Sequence, residues 1–365
     1  MKISKIPGLG DYGIFIDDVD LLEITDDEWT EVGKLHLSNL VTIVRNTNCT
    51  PDRQADLILK FGDTRYSLKS FLLQKYKRDF GTLIKLALEK NHVLDNVDRD
   101  AIVSLLSTQQ KTSSGKDVSR VTGGYDNDGN PNGLFSEGEL LWHSNESGTL
   151  TWVPGVALLA HKNVVGSATG FVTTVDYYQS VSESFRSELN DMILIHKFSP
   201  GKINPGLNAK QDAIMNLNMC PTDGEVPMVI QSPGGHTGLH YSINTVYSIK
   251  GATKQESDQI FKAIDQELFT EKYMYDHWYK NNGDLLLFDN SITLHRRLGH
   301  IDGRLCYRIA HDYTNLQDSY YQPYFQSSFQ KQYKKQIRSI VKTLGITNFK
   351  LPPMQLKDYI PFIGN

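Results

Sequence analysis

Apolar residues recur at helical spacing near the start of the chain and fall into short runs through its middle. The segment TDDEWTEVGKLHL, residues 25–37, opens with Thr25 and Glu28, the two residues of a capping box. The segment CTPDRQADLILKFG, residues 49–62, places Thr50 as N-cap before a proline and ends on a glycine. Both are predicted to be helices. The segment YGIFIDDVDLLEI (12–24) is predicted to be a short strand and turn before the first helix, and LVTIVRN (40–46) a buried strand between the two helices.

From about residue 118 the pattern changes to short apolar runs that turns separate, which is typical of strands. The predicted strands are VALLAHKNV (156–164), ATGFVTTV (168–175), VPMVIQS (226–232), GDLLLFDN (283–290) and LCYRIAHDY (305–313). One helix is predicted among them over 253–269, with Thr253 and Glu256 as its capping box. A basic amphipathic helix is predicted near the end, over 329–345. The order of elements predicts an α+β chain with a β-sandwich or barrel and flanking helices.

Composition narrows the class of protein. The 365 residues are 39% hydrophobic and 22% charged, which is ordinary for a soluble globular protein, and the net charge of -4 argues against nucleic-acid and membrane-surface binding. Cys49, Cys220 and Cys306 are too far apart for a CxxC metal site, and their odd number does not suggest a disulfide framework. The first residues lack the apolar core of a signal peptide. We expect a cytoplasmic protein.

The segment LLWHSNESG, residues 140–148, contains the first candidate for metal chemistry. Oxygen-activating iron enzymes often hold Fe(II) with two histidines and one carboxylate on one face. A His-x-Asp or His-x-Glu unit at a strand end can supply two of these ligands, since residues two apart point the same way. Here His143 is followed by Asn145, an amide where the carboxylate is expected, and His295 is the candidate second histidine.

Two arginines follow the second histidine at a useful distance. A 2-oxo dicarboxylate cosubstrate needs a cation for its remote carboxylate, and a guanidinium can pair with it bidentately. Arg304 and Arg308 lie nine and thirteen residues after His295. Because they are four apart, they share a face if this segment is a strand.

With these residues the chain resembles the taurine dioxygenase and clavaminate synthase-like Fe(II)/2-oxoglutarate oxygenases. The resemblance extends from about residue 12 to residue 315, and its first metal region is GLFSEGELLWHSNESG. The segment WYKNNGDLLLFDNSITLHRR is its most specific part, because Gly-Asp, a strand, Asp-Asn and a histidine follow in the family's order. Residues after about 317 have no clear counterpart.

The resemblance implies a function and a fold. It implies Fe(II) on His143, Asn145 and His295, and 2-oxoglutarate held by residues matching the family's cosubstrate site, which are Thr169, Arg304 and Arg308. With oxygen, such an enzyme oxidises an aliphatic C–H of a small molecule, most often by hydroxylation, as 2-oxoglutarate becomes succinate. The implied fold is a double-stranded β-helix, or jelly-roll, of about residues 118–315 with an N-terminal α/β part, in one domain of residues 1–317. Residues 318–365 would be a helical extension packed on that domain, and a homo-oligomer is left open.

Asn145 keeps three interpretations open at this point. Its amide oxygen ligates the metal weakly or through water, or water, chloride or another anion fills the position, or Glu146 reaches the metal instead. Strand alternation argues against Glu146, because neighbouring residues point to opposite faces. The second interpretation admits a halogenase, and loss of the carboxylate admits a non-catalytic binding protein on the same fold.

Four residues are candidates for the substrate pocket because they lie in or near the first metal region or in the segment HTGLHYSIN. They are Trp142, Glu146, His236 and Tyr241.

Overall fold

A computed structural model describes residues 1–65, 109–123, 138–148, 152–197 and 224–317. The predicted C-terminal helix over 329–345 and the predicted extension of residues 318–365 lie outside the described residues. Within them the helices are α1 (Asp26–Asn39), α2 (Pro51–Phe61), α3 (Val175–Ser180), α4 (Glu183–Asp191) and α5 (Lys254–Leu268). No helix in this part of the chain combines the length and the apolar character needed to cross a membrane.

The three predicted helices in the described residues are confirmed, and their ends follow from capping. The side chain of Thr25 accepts a hydrogen bond from the Glu28 backbone N–H, and the Glu28 carboxylate accepts one from the Thr25 backbone N–H. The pair Thr253 and Glu256 does the same at the start of α5. Two backbone donors that a helix leaves unpaired are satisfied at each of these ends.

Most described strands belong to two sheets. The major sheet runs in the order β1 (Lys2–Lys5), β2 (Gly13–Asp17), β3 (Val41–Val44), β16 (Leu285–Asp289), β8 (Gly155–Lys162), β18 (Leu305–His311), β6 (Asp117–Thr122) and β5 (Gln109–Lys111), with β4 (Thr64–Arg65) also paired to β18. The minor sheet runs in the order β15 (Met274–Trp278), β9 (Ser167–Thr173), β17 (Thr293–Gly299) and β7 (Leu140–His143).

Two smaller sheets complete the described strands. One runs in the order β11 (Gly224–Pro227), β10 (Ile193–His196) and β14 (Val246–Ile249), and the other pairs β12 (Val229–Gln231) with β13 (Thr237–Leu239). The run predicted as one strand over 226–232 is therefore two strands. They separate at Met228, which is fully buried and donates its backbone N–H to the Met192 carbonyl, outside either ladder.

The alternation of side chains along β16 sets the order of the layers. Leu285 and Leu287 pack in the cluster that contains helix residues of α1 and α2, whereas Leu286 and Phe288 pack on the opposite side of the strand. A strand buried on both faces reads as a continuous apolar run, as this one does. The major sheet is therefore covered by α1 and α2 on one face.

On its other face the major sheet meets the minor sheet. The rings of Phe171 in β9 and Phe288 in β16 lie 5.3 Å apart and belong to one buried cluster. The far side of the minor sheet packs on α3, α4 and α5, through residues such as Val172 and Leu294. This arrangement of mixed sheets and helices confirms the α+β class. It also places side chains of β7, β9, β17 and β18 around one cavity between the two sheets.

Candidate active site

The two predicted histidines lie side by side in the minor sheet. His143 ends β7 and pairs in register with His295 of β17, and their ring centroids are 4.1 Å apart. The Nδ1 of His143 lies 2.7 Å from the Leu141 carbonyl oxygen, which can only accept, so Nδ1 carries the proton. The Nε2 lone pair of His143 is then available to a ligand in the cavity.

Both imidazoles are held in the neutral form. Desolvation lowers the pKa of His143 to about 4, despite the opposing hydrogen bond to Leu141. Desolvation likewise lowers the pKa of His295 well below its ordinary value, with the nearby His143 and Arg308 acting in the same direction. Neutral imidazole is the state that binds metal ions.

Asn145 lies two residues beyond β7, and its backbone is fixed by Asn290. The Asn145 N–H donates to the Asn290 Oδ1 at 2.7 Å, and the Asn290 Nδ2 donates to the carbonyls of Asn145 and Val153 at 2.9 Å each. Asn290 is fully buried just after β16. It is a positioning residue for the turn, and it belongs to the Asp-Asn pair of the quoted motif although its role was not predicted.

The Asn145 side chain contacts both a histidine and an arginine. Its Oδ1 accepts a hydrogen bond from the Arg308 guanidinium at 2.8 Å, and its Nδ2 lies 3.3 Å from the Nε2 of His295. Arginine has donors only, so it selects the oxygen of the amide. The residues His143, Asn145, His295 and Arg308 are called the histidine end of the cavity below.

Glu146 lies in a turn and not in a strand. Since β7 ends at His143, strand alternation does not apply to Glu146, and that reason for setting it aside was wrong. Its backbone has a φ of 58°, and Glu146 is not among the described residues that line the cavity. Desolvation lowers the pKa of Arg308, and the charge of Glu146 opposes this shift.

The other end of the cavity is built around Arg304, which is 2% exposed. Its Nε donates to the Ser167 hydroxyl at 3.1 Å, and its guanidinium lies 5.8 Å from the centre of the Tyr279 ring. The hydroxyls of Tyr279 and Thr169 are 2.7 Å apart. Burial raises the pKa of Tyr279, which keeps its hydroxyl neutral. These four residues are called the arginine end below.

The two ends are joined by a cavity of about 130 Å³. The described residues that line it are Ser119, Arg120, Val121, Thr122, Leu140, His143, Asn145, Leu158, Thr169, Phe288, His295, Arg296, Arg297, Arg304 and Arg308. The list holds several arginines and no aspartate or glutamate. The described wall therefore favours an anionic ligand.

Arg297 is a lining residue that sequence reasoning missed. It is 4% exposed, and its guanidinium donates to the Gly138 carbonyl at 2.9 Å. Burial, followed by the charge of Arg304, lowers its pKa to about 9. Because His295 and Arg297 are two apart on β17, strand periodicity could have placed both on the cavity side.

A divalent transition metal fits the histidine end by its donors. Two neutral imidazoles on adjacent strands face one cavity, and imidazole is a preferred ligand of iron, copper, nickel and zinc. Among the residues that the structure describes, no three His, Cys, Asp or Glu side chains form a metal-binding group. The protein therefore contributes two imidazoles, with an amide beside them.

None of the four predicted substrate-pocket residues is among the described residues that line the cavity, and Trp142, His236 and Tyr241 have contacts elsewhere. Trp142 is buried, stacks on Phe269 and carries the Arg296 guanidinium at 4.4 Å over its ring. The Nε2 of His236 hydrogen-bonds the Ser38 carbonyl, and the Tyr241 hydroxyl donates to Asp265 of α5. Trp142 points away from the cavity because side chains alternate along β7 and its neighbour His143 faces the cavity. His236 and Tyr241 do not reach the cavity because they lie outside the strands that surround it.

Solved structures of similar fold are known. The structure of AAD-2 in complex with Mn(II) and N-oxalylglycine aligns with a TM-score of 0.61 at 17% identity, over 85% of this chain and 96% of that one. A taurine dioxygenase from Burkholderia xenovorans aligns with a TM-score of 0.56 at 15% identity, over 85% and 89% of the two chains. At these identities the likeness concerns the fold alone.

Sequence similarity to one relative covers less than half of the chain, whereas similarity to a family covers most of it. An α-ketoglutarate-dependent dioxygenase of Penicillium expansum, cnsP, is 27% identical over 161 residues, which are 43% of this chain and 42% of that protein. The chain thus matches less than half the length of this relative. Residues 3–310 match the taurine catabolism dioxygenase TauD, TfdA family. This range includes all the described residues that line the cavity. The chain belongs to the TauD/TfdA family.

Proposed function

We propose that the protein is an Fe(II)- and 2-oxoglutarate-dependent oxygenase on a double-stranded β-helix core. The observation that supports this most is the pairing of the two ends of one cavity. Neutral His143 and His295 lie at one end, and the buried cation of Arg304 lies at the other. A metal and a dicarboxylate are the ligands that these two ends suit.

In this proposal His143 and His295 hold the iron. When bound, the metal supplies oxygen activation, in which 2-oxoglutarate and oxygen give succinate and carbon dioxide while one oxygen atom is transferred to the substrate. The hydrogen bond from the His143 Nδ1 to the Leu141 carbonyl fixes the tautomer and the ring orientation that this ligation needs. Asn290 holds the following turn in place through its hydrogen bonds with the Asn145 backbone.

The arginine end binds the remote carboxylate of 2-oxoglutarate. Arg304 is nearly inaccessible, and Ser167 is hydrogen-bonded to its Nε, so the guanidinium keeps one orientation. Thr169 lines the cavity, and with the Tyr279 hydroxyl donating to it, the Thr169 hydroxyl can donate to a carboxylate oxygen. In a site with little water a charge-assisted pair of this kind is strong.

The apolar part of the wall serves the substrate. Leu140, Leu158 and Phe288 line the cavity, and the Phe288 ring lies 4.7 Å from the His295 ring, where it excludes water from the space beside the histidines. We infer that a small molecule is held there with an aliphatic C–H toward the histidine end, and that hydroxylation of this C–H is the reaction.

Succinate formation tests the proposal. Purified protein is loaded with Fe(II) under anaerobic conditions, and succinate is measured after 2-oxoglutarate and oxygen are added. We expect iron-dependent succinate formation by the wild type and none by His143→Ala. Equal amounts of succinate from both proteins would refute the proposed metal site, because the product would then arise without it.

A second candidate is a binding protein that holds metal and 2-oxoglutarate without turnover. It is favoured by the absence, among the described residues, of a third His, Cys, Asp or Glu beside the histidine pair. Calorimetry with Mn(II) and 2-oxoglutarate separates the two functions. Tight binding of both ligands, with no succinate under any condition and with a panel of small-molecule substrates, would favour the binding protein.

A further inference from the structure

Arg297 lies on the cavity side of the minor sheet, at the same level as the arginine end. Side chains alternate along β17, so Arg297 faces the same side as His295, and both residues line the cavity. Directly opposite Arg297 on the antiparallel neighbour β9 is Thr169. Residues paired in this way have Cβ atoms about 4.5–5.5 Å apart. Arg297 therefore adjoins Thr169 on the wall of the cavity.

Arg304 reaches the same part of β9 from the major sheet. Its Nε donates to the hydroxyl of Ser167, which lies two residues before Thr169 on β9. Residues two apart on a strand point to one face, so Ser167 and Thr169 form one short piece of wall. Arg297 and Arg304 therefore approach this piece of wall from the two sheets.

The contact of Arg297 with Gly138 directs its side chain away from the histidines. Its guanidinium donates to the Gly138 carbonyl at 2.9 Å. Leu140 is the register partner of Arg297 on β7, with Gly138 before it and His143 after it along the chain. The guanidinium thus extends toward the arginine end. It carries five N–H donors, so the bond to Gly138 is compatible with donation to a ligand.

The charges of the two guanidiniums agree with this placement. Burial, followed by the charge of Arg304, lowers the pKa of Arg297 to about 9, so both groups are cations at neutral pH and repel each other. Both side chains are buried, and repulsion is strong where the dielectric is low. None of the described residues that line the cavity is an aspartate or glutamate. A ligand carboxylate next to both guanidiniums would relieve this repulsion.

We infer that Arg297 is a second cosubstrate-binding residue, and that it and Arg304 hold the remote carboxylate of 2-oxoglutarate between them. The inference rests on the function proposed above. A 2-oxo acid without a remote carboxylate leaves both buried cations uncompensated, which disfavours its binding. Arg297 thereby strengthens the selectivity of the cavity for a dicarboxylate.

Calorimetry with Mn(II)-loaded protein tests the inference. Arg297→Met removes the charge and keeps a long side chain, and 2-oxoglutarate affinity should fall about tenfold or more, with Mn(II) affinity unchanged. Arg297→Lys keeps the charge and should lose less. Arg53→Met is the matched control, because Arg53 also donates to backbone carbonyls but lies outside the described cavity wall. This control should bind 2-oxoglutarate as the wild type does.

The ligand 2-oxobutyrate separates a role at the remote carboxylate from a purely structural role. It has the 2-oxo acid group of 2-oxoglutarate and no remote carboxylate. Arg297→Met should bind 2-oxobutyrate at least as well as the wild type does. Equal weakening of both ligands in Arg297→Met would mean that Arg297 acts by holding Gly138 in place, and would overturn the inference.

The double variant of Arg297→Met and Arg304→Met gives an independent check. Its loss of 2-oxoglutarate affinity should differ from the product of the two single losses, because substitutions that share one partner are coupled. Losses that multiply, or an unchanged 2-oxoglutarate affinity in Arg297→Met, would overturn the inference and leave the proposed function standing. If the Mn(II)-loaded wild type does not bind 2-oxoglutarate, the proposed function and the inference fail together.

Discussion

The two ends of the cavity differ in how well their side chains suit the ligand proposed for each end. At the arginine end the buried guanidinium of Arg304 and the hydroxyl of Thr169 line the cavity, and both suit a carboxylate. At the histidine end two imidazoles suit a metal, but the third residue is an amide whose oxygen is held by Arg308. The comparison shows that cosubstrate binding and metal ligation can be judged separately in this chain. The arginine end contains Thr169 and Arg304, as the resemblance implies, and the histidine end contains Asn145 where the resemblance implies a carboxylate.

The largest effect is expected for removal of a histidine. With only two imidazoles supplied by the described protein, His295→Ala leaves one, and metal affinity should fall by more than about 100-fold. Calorimetry with Mn(II) measures this. His161→Ala is a matched control, since His161 packs against Tyr307 outside the described cavity wall and should leave metal affinity unchanged. Equal affinities in both variants would show that the histidine end is not the metal site.

At the arginine end the largest effect is expected for Arg304. Removal of a buried charge that pairs with a carboxylate costs about 2–5 kcal/mol, so Arg304→Ala should weaken 2-oxoglutarate binding by that amount. Arg308→Ala should cost less, because Arg308 already donates to Asn145. Binding is measured by calorimetry with Mn(II) present. If the Arg308 variant is the weaker binder, the two ends have been assigned the wrong arginines.

Asn290 should affect the histidine end through stability and position. Asn290→Ala leaves buried backbone groups of Asn145 and Val153 without their partner, at a cost of about 1–3 kcal/mol of unfolding free energy. Urea denaturation measures it. Asn39→Ala, which removes one hydrogen bond from a partly buried helix residue, is the control and should cost less. A null effect at Asn290 would mean that the turn is held by other contacts.

Tyr279→Phe removes one hydroxyl from the arginine end and should weaken 2-oxoglutarate binding slightly. The loss of its hydrogen bond to Thr169, which orients the Thr169 hydroxyl, should cost about 0.5–1.5 kcal/mol of 2-oxoglutarate affinity. Metal affinity should not change, because Tyr279 lies at the other end. Calorimetry with Mn(II) alone and with Mn(II) and 2-oxoglutarate separates the two quantities. A change in metal affinity instead would contradict the division into two ends.

The smallest effect is expected for pH. The pKa of His143 is about 4, below its ordinary value near 6.5, so the imidazole is already neutral at pH 5.5. Protons then compete with the metal for His143 only when the pH falls toward 4. Co(II) affinity at pH 5.5 and 7.5 should therefore agree within about threefold. A histidine with an unshifted pKa would be mostly protonated at pH 5.5, and affinity would fall about tenfold.

The helices and strands could be predicted where local signals were complete. Thr25 with Glu28, and Thr253 with Glu256, mark helix starts that the structure reproduces. Helix α3 was missed because it is short and its N-cap, Thr174, makes no capping hydrogen bond with its side chain. Helix α4 carries a readable cap in Ser182 that the sequence interpretation passed over.

The sequence predicted which motif residues lie together in the site, but it did not predict the contacts between them. His143, Thr169, His295, Arg304 and Arg308 all line one cavity, as expected from their order in the chain. Their roles as ligands remain predictions. The bond between Asn145 and Arg308 joins residues 163 positions apart, and no local pattern indicates it. It depends on how two sheets meet, which is a property of tertiary packing.

A crystal structure with Mn(II) and 2-oxoglutarate, grown without oxygen, tests the central claim most directly. We predict metal density between His143 and His295, one end of 2-oxoglutarate at the metal, and its remote carboxylate on Arg304 beside Thr169 and Tyr279. Metal bound away from the two histidines, or a remote carboxylate bound to Arg308 with Arg304 unused, would contradict this account of the cavity.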